Sequence, residues 1–174
     1  MNARGTGSED PVYGAAVAAV TIREAREGDE NAIFELIVEL ATYEKLREDV
    51  SGDAETLRRE LFEARTAEAL VAEVDGATVG YALLARTFST FKCKAGIWIE
   101  DIYVRPESRK FGIGRALFAR VAALAVERDW PRVEWAVLEW NQLAIDFYDG
   151  LGATSLDDWR MMRLDGEALT ALGS

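Results

Sequence analysis

The run from Ile97 to Val121 restricts the possible folds of this chain more than any other stretch. Ile97 to Val104 is largely apolar and reads as a strand, closed by Pro106. Arg109-Lys110-Phe111-Gly112-Ile113-Gly114 follows, and Gly114 to Arg128 reads as a helix with Ile113, Leu117, Val121 and Leu124 on one face. A strand that turns through glycine straight into an amphipathic helix belongs to a layered α/β architecture. The helix start presents unpaired amides and a positive dipole end. Gly112 and Gly114 let a diphosphate approach that backbone closely, and Arg109 and Lys110 add charge. Spacing alone leaves a second reading open, because any helix start can use glycine. A dinucleotide fingerprint would need a third glycine and an earlier strand, and a Walker-type loop would need a Gly-Lys-Ser/Thr ending.

The flanking elements follow from periodicity and turn chemistry. Thr21 to Arg23 begins the ordered part as a short strand. Asp29 or Asn31 can cap a helix that carries Ile33, Phe34, Ile37, Leu40 and Ala41 on one face. Asp53 reads as the N-cap of a second helix, with Leu57, Leu61 and Phe62 inward. Leu70 to Val74 and Val79 to Ala85 read as strands joined by an Asp75-Gly76 hairpin turn. Phe88 to Ala95 reads as a loop, and Val133 to Leu138 as a strand. Leu143, Phe147 and Leu151 give the next helix its buried side, with Gly152 suited to its C-cap. Trp159 to Leu164 reads as a last strand. Strands and helices alternate with both hairpin and crossover connections, which predicts an α/β sandwich on a mixed sheet.

With 174 residues, the chain fits one domain over 20–174, preceded by a flexible extension at 1–19. Val12 to Val20 weakly imitates a signal-peptide core, but Glu9 and Asp10 precede it where positive charge belongs. No apolar run approaches the ~20 residues of a membrane span. A cytoplasmic protein with neither nucleic-acid nor membrane partners is the expectation, since a net charge of −11 repels both polyanions. The same charge raises the local concentration of cationic substrates. The single cysteine, Cys93, forms no intrachain disulfide, and with no histidine a structural zinc site is implausible. No metal is expected. Without histidine, acid–base work must fall to carboxylates, tyrosines, a lysine or the cysteine. Cys93 is read as incidental, as no activating group is evident.

Arg109-x-x-Gly112-x-Gly114, between a strand and an amphipathic helix, resembles the acetyl-CoA signature of the GCN5-related N-acetyltransferase (GNAT) superfamily. Further runs resemble its spermidine/spermine and thialysine acetyltransferase branch. They are Ala41-Thr42-Tyr43-Glu44, Ile99-Glu100-Asp101-Ile102-Tyr103-Val104, Ala136-Val137-Leu138-Glu139-Trp140-Asn141, and Phe147-Tyr148 followed by Leu151-Gly152-Ala153. The resemblance implies a mostly antiparallel mixed sheet with helices on both faces and a splayed central strand pair. It also implies acetyl-CoA as co-substrate and a homodimer. The backbone of Ile102, Tyr103 and Val104 would pair with the pantetheine arm. Amides of Lys110, Phe111, Gly112, Ile113, Gly114 and Arg115 would hold the diphosphate, beside Arg109. Asn141, Ala144 and Tyr148 would also contact the cofactor. The family often has glycine where Lys110 stands, which would strain the turn if that position needs positive φ.

By the same resemblance, Glu100 is the general base and Tyr148 the general acid. Strict strand alternation would send Glu100 and Asp101 to opposite faces. The residues alone also allow two solvated acids at a strand end, a core-edge tyrosine, and an N-cap role for Asn141. Tyr43, Glu44, Glu100 and Asp101, with Glu134, Trp135 and Ala136 on a flanking strand, match positions that bind the amine. The loop Phe88-Ser89-Thr90-Phe91-Lys92-Cys93-Lys94 carries lysines and no acid. That pattern resembles the thialysine enzymes more than the polyamine enzymes, and a lysine there could pair a substrate carboxylate. The implied reaction moves an acetyl group to a primary amine of a diamine, polyamine, thialysine or similar amino acid, by direct attack in a ternary complex. Two other functions fit the same features: an idle acyl-CoA-binding module, and a protein lysine or N-terminal acetyltransferase.

Overall fold

The computed structural model describes residues 19–174, and the N-terminal extension and signal-like stretch expected at 1–19 lie outside it up to residue 18. The described chain falls into two compact units, one ending at Ala136 and the other spanning Val137–Ser174.

The first unit is built on a sheet ordered β1 (Val20–Glu24), β2 (Glu68–Val74), β3 (Ala77–Ser89), β4 (Lys94–Val104) and β5 (Val133–Trp135). The first four strands pair antiparallel and β5 joins β4 in parallel. Helix α1 (Glu30–Tyr43) and helix α2 (Ala54–Arg58), the latter continuing as π-helical turns through Ala64, cover one face. Ile33, Leu36 and Leu61 meet Val71, Tyr81 and Tyr103 in the core there. Helix α3 (Ile113–Glu127) packs against the sheet with Ile113, Leu117 and Val121 fully buried. The alternate strand positions Leu70, Ala72, Ala82 and Leu84 are buried with it, as a period of two requires.

Local expectations hold where local chemistry decides. Asp75 and Gly76 both take positive φ in the hairpin turn. Asp53 caps α2 by accepting from the Thr56 N–H at 2.7 Å. Asp29 stands at the N-cap of α1 but caps nothing with its side chain. Its carboxylate instead accepts from Arg23 (2.6 and 2.9 Å) and from the Arg26 N–H (2.8 Å), so long-range charge pairing wins over the cap. The buried stripe of α1 also includes Leu36, which the residues named for that face omit.

Other expectations fail. Phe88 to Ala95 is not all loop: β3 runs to Ser89 and β4 starts at Lys94, leaving only a turn between them. Cross-strand pairing from Phe88↔Ala95 to Ser89↔Lys94 overrides the polar composition. The strand at Val133 stops at Trp135 rather than Leu138. Trp159 to Leu164 forms no strand, and the second unit instead contains α4 (Gln142–Asp149) and α5 (Gly166–Gly173). A strand needs a neighbour's ladder, and apolar patterning cannot supply one. In α4, Leu143 is exposed rather than inward.

Candidate active site

The site is organised by an irregularity in β4. Leu83 pairs with Asp101 and Leu84 with Ile99, so Glu100 is an extra residue with no opposite number on β3. This is a β-bulge. It breaks the simple alternation on which opposite faces for Glu100 and Asp101 were expected. Before the bulge, Ile97 and Ile99 stand opposite Arg86 and Leu84. After it, Asp101 and Tyr103 stand opposite Leu83 and Tyr81, on the α1 face. Glu100 itself is exposed.

The parallel ladder to β5 ends at Ile99↔Trp135, immediately before the bulge. β4 continues to Val104 with its β3 pairing intact. The Arg105 N–H donates to the Val79 carbonyl at 2.9 Å. Antiparallel alternation then turns the main-chain groups of Ile102 and Val104 away from β3, toward the edge β5 has left, while those of Tyr103 belong to the β3 ladder. The β4–β5 ladder therefore ends where the bulged carboxylate begins.

That edge leads into the glycine turn. Pro106–Phe111 forms a 3-10 helix, so Lys110 has ordinary negative backbone φ. The positive φ falls on Gly112 (+73°), the N-cap of α3, and the departure at Lys110 strains nothing. A Cβ on Gly112 would meet nothing within 4 Å, so the backbone there stands open. The first helical bond runs from the Ala116 N–H to the Gly112 carbonyl (3.0 Å), which leaves the preceding amides of Ile113 and Gly114 without an intrahelical acceptor. Open backbone, aligned amides and a 15-residue helix dipole fit a diphosphate.

Arg109 is placed differently from a simple phosphate ligand. Its Nε donates to the Val104 carbonyl at 2.9 Å. Its guanidinium lies 5.3 Å from the Tyr43 ring centroid and 5.6 Å from that of Tyr103. It therefore ties the turn to the end of β4 and to the end of α1. A second arginine does similar work. Arg105 forks onto Glu39 of α1 at 2.8–3.2 Å. These pairs hold Tyr43 and Glu44 at the α1 C-terminus beside β4.

The acidic side of the site is unusual electrostatically. Burial pushes the Glu44 carboxyl above its ordinary range, and the charge of Asp101 adds to the effect. Burial also raises Asp101, with Glu100 contributing, while a hydrogen bond from Tyr81 opposes the shift. The Tyr81 hydroxyl donates to Asp101 Oδ2 at 3.2 Å. Tyr81 is fully buried on β3, and its phenol is raised well above normal by burial and by Asp101. The reading of the residues missed Tyr81. Its one signal was a hydroxyl-bearing side chain at a core position of an otherwise apolar strand.

The flanking positions complete the first unit. Glu134 pairs with Arg132 at 2.7 Å, the Trp135 ring meets Phe118 edge-on at 5.1 Å, and Ala136 is exposed just past β5. In the β3–β4 turn, Lys94 pairs with Asp129, and Cys93 is exposed at positive φ. The remaining positions lie in the second unit. There Asn141 is the N-cap of α4 and accepts from the Ala144 N–H at 3.3 Å. Tyr148 lies on the same helix, its ring 5.6 Å from that of Phe147. Among the described residues no cluster of metal-ligating side chains occurs, and no helix is long and apolar enough to cross a membrane.

Residues 15–153 match the sequence pattern of the Acetyltransferase (GNAT) family. The chain belongs to that family. It is therefore an acetyltransferase, and the family implies acetyl-CoA as co-substrate. The chain is 42% identical over 168 residues to a thialysine N-epsilon-acetyltransferase from Bos taurus, covering 90% of this chain and 98% of that protein. An L-ornithine N5-acetyltransferase from Arabidopsis thaliana is 41% identical over 98 residues, covering 56% of this chain and 43% of that protein. In fold, the chain resembles an integron cassette protein from the mobile metagenome of V. cholerae (TM-score 0.74, 22% identity), covering 88% and 97% of the two chains.

Proposed function

We propose that this GNAT enzyme acetylates the side-chain amine of a small cationic substrate, a diamino acid of the thialysine or ornithine kind or a related diamine or polyamine, by direct attack in a ternary complex. The observation that carries this reading is the coincidence of the Glu100 bulge with the end of the β4–β5 ladder. It sets a carboxylate at the head of an open strand edge that runs toward the amides of α3.

Bound acetyl-CoA supplies the thioester carbonyl that the amine attacks. The open main-chain groups of Ile102 and the Val104 N–H are suited to pair with the pantetheine arm, the Val104 carbonyl being held by Arg109, and the amides from Lys110 to Arg115 are suited to the diphosphate. Asn141, Ala144 and Tyr148 are assigned to the cofactor from α4. An alkyl ammonium titrates near ~10.4, so roughly one amine in a few thousand is neutral at pH 7. Without a base this deficit adds about 4–5 kcal/mol to the barrier. Glu100 is assigned the proton, directly or through water. A backbone N–H freed by the bulge is suited to the developing oxyanion. Tyr148 is assigned the proton that the leaving thiolate takes up. Glu44 and Asp101, with Tyr43, receive the substrate's cationic part, flanked by Glu134, Trp135 and Ala136. Because Lys94 is engaged by Asp129, Lys92 is the better partner for a substrate carboxylate.

The family match crosses the boundary at Ala136, which supports one acetyltransferase domain made from both units. Exposed Trp159, Met161, Met162 and Leu164 in the second unit support a homodimer. A thiol-release assay with acetyl-CoA against thialysine, ornithine, lysine, diamines and polyamines tests the reading. Turnover with a diamino acid or diamine is expected, with Glu100→Gln and Tyr148→Phe each slower by about 10²–10⁴-fold. CoA binding without thiol release for any amine would sink it in favour of an idle acyl-CoA-binding module.

A further inference from the structure

We infer that Tyr81 is the positioning residue of the amine seat: its buried hydroxyl holds the Asp101 carboxylate so that Asp101 and Glu44 together receive the substrate's second cationic group. The inference rests on the proposed amine acetylation and adds to it a residue that never touches substrate.

The argument starts from the core. Tyr81 is fully buried among Ile33, Leu36, Leu61 and Val71, where a phenylalanine ring would pack as well. A hydroxyl in such a place is unfavourable unless it is bonded. Its hydrogen-bond partner is Asp101 Oδ2, at 3.2 Å. The bulge is what makes this bond possible. By shifting the register at Glu100 it brings Asp101 onto the same face as Tyr81 and Tyr103.

The groups around Asp101 are Tyr81 on β3, Glu44 at the end of α1, and Glu100 and Tyr103 on β4 itself. Two of these are carboxylates. Burial opposes ionisation of both carboxyls, with the charge of Asp101 adding at Glu44 and that of Glu100 adding at Asp101, so a cation seated beside Asp101 and Glu44 relieves both. The Tyr81 phenol is a neutral donor to Asp101. It favours the charged carboxylate and leaves it one orientation. A charged, oriented Asp101 is what a second ammonium group needs.

Tyr81→Phe keeps the ring and removes only the hydroxyl. The expected result is a rise of about tenfold in KM for a diamino acid, with kcat and the KM for acetyl-CoA nearly unchanged. The acid limb of kcat/KM for the amine should also move to higher pH, because Asp101 loses the bond that favours its charged form. In an Asp101→Asn background, Tyr81→Phe should add nothing further. Unchanged amine KM and pH profile in Tyr81→Phe would overturn the inference. So would a loss shared equally between amine and acetyl-CoA together with a lowered Tm, since that marks a structural role only. NMR titration of the Asp101 carboxyl carbon reads the same upward shift without turnover. An enzyme that acetylates no amine therefore defeats the proposed function, whereas an unmoved Asp101 titration defeats this inference.

Discussion

Arg109 offers the sharpest separation of charge from geometry. In a phosphate-binding turn its positive charge would be the useful property. In the structure its Nε is spent on the Val104 carbonyl at 2.9 Å, and its guanidinium lies 5.3 Å from the Tyr43 ring centroid and 5.6 Å from that of Tyr103. A hydrogen bond from a charged donor is worth about 1.5–3 kcal/mol net. Two partly exposed cation–π contacts add about 0.5–1 kcal/mol each. Fixing the long side chain takes back up to ~2 kcal/mol. The balance, about 0.5–3 kcal/mol, is what Arg109 contributes to holding the turn, the end of β4 and the end of α1 in one arrangement. Arg109→Ala should therefore lower kcat/KM for acetyl-CoA by roughly 2–150-fold. Arg109→Lys is the informative variant, since it keeps the charge but lacks the planar fork. It should fall close to the alanine variant. The measurement is steady-state kinetics with acetyl-CoA varied at saturating amine, with calorimetric CoA binding beside it. A lysine variant at parental rate would refute the geometric account and return Arg109 to a charge role.

The acidic seat is expected to weigh on the fold it serves. Burial raises Asp101, so from about pH 4 upward the folded state holds a proton the unfolded state has released. Stability falls as pH rises through that window. Asp101→Asn should then raise Tm at pH 7, lose that advantage at pH 4, and weaken amine binding; a lower Tm at pH 7 contradicts the sign. Gly80 tests the register around the bulge, because a Cβ there would stand 2.8 Å from the Tyr103 carbonyl oxygen and 3.1 Å from Val104 Cγ2. Backbone cannot give way as a side chain can, so Gly80→Ala should cost about 1–3 kcal/mol, read as a lower denaturant midpoint at constant m. A change below ~0.5 kcal/mol would mean that β3 and β4 are farther apart than the structure has them.

What could be read along the chain was what neighbouring residues decide among themselves. The Asp53 cap, the Asp75-Gly76 hairpin and the buried stripe of α3 each depend on a few consecutive residues. The site residues Glu44, Glu100, Asp101 and Arg109 were named because the short runs that hold them resemble motifs of the family. Their arrangement was not legible. A bulge is a mismatch in count between two strands, so Glu100 becomes the extra residue only when β3 is laid beside β4. Strict alternation could not show that Asp101 shares a face with Tyr81, which, twenty residues away, gave no sign of being its partner. Arg109 looked like a phosphate ligand until α1 and β4 brought Tyr43 and Tyr103 around it. The expected strand at Trp159 failed on the same ground: its pattern is local, but a strand exists only against a neighbour. Sequence carried the chemistry of each group. Tertiary pairing decided which groups meet, because hydrogen-bond register and burial are set between segments distant in the chain.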